Sequence, residues 1–191
     1  MKKEVTFKES RIIGTTILLL GTGFLTSAIP KGSIPLFLFN SLLALIAGAL
    51  FYYFWKTTKH NSKRYFSLLS FVMLNTASIH LAIPLLRIYY LTTTFWVGVI
   101  MLTIMLILPY IFSREIAFGI QQPSKSKLGK IYSIYVVLII GFGTVAYIGS
   151  LSISTDMIVL AIFAFLLALF CLFIAPVMLI KPKKMNEIMN E

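Results

Sequence analysis

An all-α integral membrane protein with six transmembrane helices is the fold this sequence predicts. Three observations predict it: too few charges to coat a water-soluble globule, six apolar runs of spanning length, and basic residues gathered in alternate breaks between those runs. Of the 191 residues 59% are hydrophobic and only 12% charged, so lipid must replace much of the solvent around the folded chain. Crossing about 30 Å of hydrocarbon takes roughly 20 apolar residues in a helix. Water cannot satisfy backbone groups there, so each run closes its own hydrogen bonds as a helix, and the alternating strands that a barrel needs are not seen.

The runs are Ile12 to Pro30, Ile34 to Trp55, Tyr65 to Leu86, Leu91 to Phe112, Tyr132 to Ile153 and Met157 to Ile180, and they form one domain over residues 1–191. The first follows Lys2, Lys3, Lys8 and Arg11 and contains Thr26-Ser27-Ala28 near its end. Cleavable leaders share that pattern, but the run has the length of a spanning helix and is read as an anchor. Pro30-Lys31-Gly32-Ser33 is a turn signal before the second run, and Lys56 to Arg64 is a basic loop before the third. After the fourth, Ser113 to Lys130 reads as a loop, with Gln121-Gln122-Pro123-Ser124 in its middle. A short connection separates the fifth from the sixth.

Along this map the successive breaks carry 4, 1, 4, 1, 4, 0 and 3 Lys and Arg, so alternate compartments hold 15 and 2. Basic residues in short loops stay on the cytoplasmic side. The expected arrangement is three hairpins with outward tips and both chain ends in the cytoplasm. The net charge of +11 then expresses topology and attraction to anionic lipid, and no nucleic-acid partner is expected.

Helices in lipid associate by close approach, so stripes of small residues mark packing faces. Ala161, Ala164, Ala168, Cys171 and Ala175 form one in the last run. Gly14, Gly21 and Ala28 recur every seven residues in the first, and Ser41, Ala44 and Gly48 share one side of the second. Gly21-Thr22-Gly23 is echoed by Gly141-Phe142-Gly143, a weak sign of hairpin duplication. Pro84, Pro109 and Pro176 fall within or near the ends of runs, where a missing amide donor can kink a helix.

Ionisable groups at depth are costly in hydrocarbon and point to sites; His80 is the one candidate well inside a run. Thr76, His80 and Arg87 project from one side of the third helix, with Asn75 slightly around it. At about 1.5 Å per residue His80 lies some 6 Å to the outer side of its segment's centre, level with Asn40 on the second helix. Thr22, Thr26, Thr144 and Tyr147 fall at the centre or outer half of their helices, and Arg87 and Asp156 near the outer rim. The expectation is an outward-opening polar pocket with ligand-binding residues Asn40, Asn75, Thr76, His80 and Arg87. The competing expectation is that the same side chains merely tie helices together.

Hydrolytic chemistry would need a nucleophile with its base, paired carboxylates or a metal, and the chain has neither GxSxG nor HExxH. His60 and His80 fall in different compartments, Cys171 is alone, and no acid lies deep in a run. Neither an enzyme nor a resident metal or cofactor is expected. Lacking a Walker A motif, transport driven by ATP would need a cytoplasmic ATPase or other membrane subunit, docked on Arg114-Glu115 or the Lys125, Lys127 and Lys130 cluster. The functional expectation is a small-solute binding or transport subunit in a cell membrane, with a bacterial cytoplasmic membrane suggested by Lys, Ile and Phe richness. The alternative is an accessory, immunity or regulatory protein that binds another membrane protein; handling of lipid comes third.

Overall fold

A computed structural model describes the backbone of residues 4–123, 126–152 and 157–181, and the side chains of these except 145–152. Every regular element among the described residues is helical: α1 (Ile12–Ala28), α2 (Ile34–Thr58), α3 (Ser62–Ile88), α4 (Thr93–Ile111), α5 (Ser113–Gln121), α6 (Lys127–Ser152) and α7 (Met157–Ile174), with 3-10 turns at Lys8–Ser10 and Ala175–Leu179. Six of the helices are long and apolar enough to cross a membrane. Their starts follow local chemistry. The Asn61 side chain accepts from the Arg64 amide at the head of α3, and the Thr92 hydroxyl accepts from the Phe95 amide at the head of α4, each satisfying an amide the helix cannot. Proline in the first turn of α2 suits a position whose amide has no helical partner.

α3 is the central helix, packed against α1 and α2 on one side and α7 and α4 on the other. That position explains its composition. Asn75, Thr76, Ser78 and His80 sit on the helix whose neighbours shield it from lipid, where polar groups find partners in protein. The small-residue stripe of α7 is buried along its whole length and lets α7 lie close on α3. Ala82 of α3 meets Phe165, Ala168 and Leu169 of α7 in one apolar cluster, extended by Leu102 and Met105 of α4. A second cluster joins α1, α2 and α3 through Ile12, Leu19, Ala44, Phe51 and Leu69. Pro84 and Pro109 lie inside α3 and α4, while Pro176 falls in the turn that follows α7.

Two expectations are corrected. Gly14, Gly21 and Ala28 form no packing face: all three are exposed, and a methyl group added at either glycine would meet nothing within 4 Å. The buried face of α1 is instead Ile12, Thr15, Leu19, Gly23 and Thr26, at spacings of 3 and 4 that a strict seven-residue repeat overlooks. The stretch from Ser113 to Lys130 is not one loop. It holds α5, which buries Ile116, Ala117 and Gly119, and the first turn of α6. Gly119 and Gly129 let α5 and α6 touch backbone to backbone: a methyl group on Gly119 would stand 2.8 Å from the Gly129 nitrogen.

Residues 4–11 run across one end of α1, α2 and α3 and are fastened there. The Val5 amide donates to the Lys59 carbonyl at 3.0 Å, and the Trp55 indole donates to the Val5 carbonyl at 3.0 Å. Phe7 packs edge-on against Trp55, and the Tyr65 hydroxyl donates to the Ser10 carbonyl at 2.7 Å. Glu4 pairs with Lys59 at 2.9 Å. The hydrogen bond and charge of Lys59 lower the Glu4 carboxyl below its ordinary range, so this exposed pair's small contribution is present above that range and fades as pH falls through it. Tyr65 is different, being fully buried. Replacing it, Tyr65→Phe, should destabilise the protein by about 1–3 kcal/mol, since the buried Ser10 carbonyl loses its donor; thermal unfolding in detergent is the measurement.

Candidate functional site

The polar centre of the molecule forms where Gly23 of α1 lets α2 and α3 come close. A methyl group there would stand 3.0 Å from the Asn40 Cβ and 3.3 Å from the His80 Cε1, so only glycine permits this approach without displacement. Asn40 and His80 are both fully buried.

Each takes part in a small network whose directions can be worked out. Asn40 Nδ2 donates to the Gly23 carbonyl at 3.1 Å and lies 3.4 Å from the Thr26 hydroxyl. That hydroxyl donates to the Thr22 carbonyl at 2.9 Å, so towards Asn40 it accepts. His80 Nδ1 lies 3.4 Å from the Thr22 hydroxyl, which donates to the Leu19 carbonyl at 2.9 Å. With its hydrogen committed to Leu19, Thr22 also accepts. Two buried atoms are left with no hydrogen-bond partner: Asn40 Oδ1 and His80 Nε2. Each such atom costs about 1–3 kcal/mol when water cannot reach it.

Beyond this centre, away from the chain's amino-terminal end, lies a groove of about 480 Å³ between α2, α3 and the start of α4. It is lined by Ser33, Pro35, Phe39, Ile83, Arg87 and Phe95, among others. Phe39 precedes Asn40 and Ile83 follows His80 by three residues, so the groove's walls adjoin the buried pair. Arg87 Nη1 donates to the carbonyls of Ser27 and Ile29 at 3.3 and 3.2 Å. These are carbonyls at the end of α1 that the helix leaves free, and a cation is favoured there.

Of the five residues expected to line a pocket, the structure gathers Asn40 and His80 at one centre and sets Arg87 on the adjoining groove. Asn75 lies elsewhere. Its Nδ2 donates to the Phe71 carbonyl at 2.8 Å, and it lines another, mostly apolar cavity of about 410 Å³ between α3, α4 and α7, which meets the groove only at Ile83 and Leu86. Five helical residues separate Asn75 from His80, which puts them well apart around α3. Thr76 is half-buried, and the partners found around His80 come from α1 and α2. Thr22 and Thr26 belong to the centre, whereas Thr144 is exposed and bonds to Ile140 of its own helix. The Tyr147 side chain, Asp156 and Lys125 lie outside the described residues. Among the described residues no three His, Cys, Asp or Glu side chains cluster as a metal would require.

Gly23 is the site residue that sequence reasoning missed as such. Its signal was its place three residues before Thr26 and four after Leu19, on one helical face. No protein-family model, curated protein or solved structure matches the chain.

Proposed function

We propose that the protein is a small-solute binding or transport subunit in a cell membrane, whose solute reaches Asn40 and His80 from the groove beside Arg87. The observation that carries this reading is the pair of buried polar atoms, Asn40 Oδ1 and His80 Nε2, left without hydrogen-bond partners. A side chain kept only to tie helices together would have its hydrogen bonds completed within the bundle; here the donor side of Asn40 is used and the acceptor side is left over. Phe39 and Ile83 line the groove and neighbour the pair along α2 and α3, so this reading requires a path past them. Residues 4–11 are fastened across the other end of the same three helices.

In this reading the helices pair as three hairpins, the groove faces outward, and residues 4–11 and the basic loops lie in the cytoplasm, where a partner ATPase or other membrane subunit would dock. What supports it is the distribution of Lys and Arg. Reporter tags inserted at Lys31 and near Lys127 are expected in opposite compartments; finding both in one would overturn this topology.

The functional test is co-purification. Full-length protein isolated in mild detergent is expected to carry a small molecule, visible by mass spectrometry, that is lost from Asn40→Leu with His80→Leu and kept by Asn75→Ala. Equal recovery from all three, or no small molecule in the wild type, would overturn the assignment. A second reading, an accessory or immunity protein that binds another membrane protein, is favoured by α4, where Gly98 and Pro109 are the buried residues and much of the remaining apolar surface is open to a partner's helices. A stoichiometric integral membrane protein in place of a solute would support that one.

A further inference from the structure

Resting on the proposed solute site, the directions of its hydrogen bonds point to a narrower conclusion. We infer that the group received between α2 and α3 is a neutral N–H or O–H donor, as in an amide, an alcohol or water itself, and not a carboxylate or phosphate.

Thr22 sets the direction. Its hydroxyl hydrogen lies in the 2.9 Å bond to the Leu19 carbonyl, so the His80 Nδ1 that faces it at 3.4 Å is the nitrogen that carries hydrogen. A neutral imidazole has only one. Nε2 is then a bare lone pair, fully buried and without a partner. Asn40 comes to the same end by another route. Its amide nitrogen is turned to Gly23 and Thr26, which fixes its oxygen as the free atom. Both unfilled positions therefore accept, and what fills them must donate.

Charge narrows the class. An anion would bring further acceptors to two acceptors. A cation or a protonated His80 would have no acid to face: α1 contributes Thr22, Gly23 and Thr26, α2 contributes Asn40, and the nearest charge on α3 is the cationic Arg87, seven residues on. A neutral donor meets neither objection. The one rival geometry involves the Asn40 main-chain carbonyl, which also borders the imidazole. Were Nε2 to carry the hydrogen, Nδ1 would be the bare nitrogen, and only Asn40 Oδ1 would still seek a donor.

Nitrogen-15 spectra of histidine-labelled, full-length protein in lipid nanodiscs decide between them, with His60→Gln identifying the His80 signals. The expected result is a protonated Nδ1 and an unprotonated Nε2, with Thr22→Val relaxing that preference. Acetamide should shift the Nε2 resonance saturably, and acetate, of nearly the same size, should not. A protonated Nε2, or a shift with acetate alone, overturns the donor assignment while leaving a solute site in place. If Nε2 is bare and both probes leave it unmoved up to molar concentration, the solute reading falls with it.

Discussion

Gly23→Leu should destabilise the protein by about 3 kcal/mol, while Gly14→Ala and Gly21→Ala on the same helix leave it unchanged or stabilise it slightly. At Gly23 the first added carbon already meets Asn40 Cβ at 3.0 Å and the His80 ring at 3.3 Å. The three further carbons of leucine have no room between helices whose other contacts hold them in place. Overpacking of a filled interior typically costs 1–3 kcal/mol, and here it also parts Asn40 from the Gly23 carbonyl. At Gly14 and Gly21 an added methyl meets nothing within 4 Å, and removing a glycine from a helix interior gains about 0.5–1 kcal/mol. Thermal unfolding in one detergent checks all three. Equal responses would mean that α1 does not present its Gly23 face to α2 and α3.

The contrast between these glycines also marks what could be read in the sequence. The six spanning helices were legible because the demand for them is one-dimensional: about 20 apolar residues in a row suffice, whatever they pack against. The alanine stripe of α7 was legible because small residues at spacings of 3 and 4 are informative wherever the remainder is bulky. Gly14, Gly21 and Ala28 form an equally regular row, yet face outward, since in lipid both faces of a helix are apolar and periodicity does not tell a partner from the solvent. α5 was hidden for the opposite reason: it is short, holds Gly119, and its apolar face of Ile116, Ala117 and Ile120 lies within a polar stretch.

The site was legible in part. Depth alone singled out His80 and brought Asn40 to its level, and both are at the centre. Asn75 and Thr76 were grouped with them by nearness along α3, but the side of α3 that faces α1 and α2 depends on tertiary packing. Gly23 carries no chemistry of its own, so only the approach of two other helices reveals its part.

Asn40→Asp and Asn40→Leu should separate the fold's needs from the site's. The first substitution keeps the shape of the side chain but replaces the nitrogen that donates to the Gly23 carbonyl with another acceptor, and at neutral pH adds a charge in a fully buried position. A central carboxylate in a membrane helix costs about 3 kcal/mol. Burial disfavours the charged form, so Asn40→Asp should be destabilised by about that amount at neutral pH, read by thermal unfolding in one detergent. Asn40→Leu removes the donor and the stranded oxygen together. The Gly23 carbonyl lies within α1, where the helix's own amides supply a donor, so the change in stability should stay within about 1 kcal/mol, because replacing polar groups by apolar ones of similar shape is often nearly neutral. A fold that tolerates leucine at position 40 does not itself require asparagine there, and its unpaired oxygen is then kept for a ligand; a collapse as large as that of Asn40→Asp would instead make Asn40 a structural tie between α1 and α2.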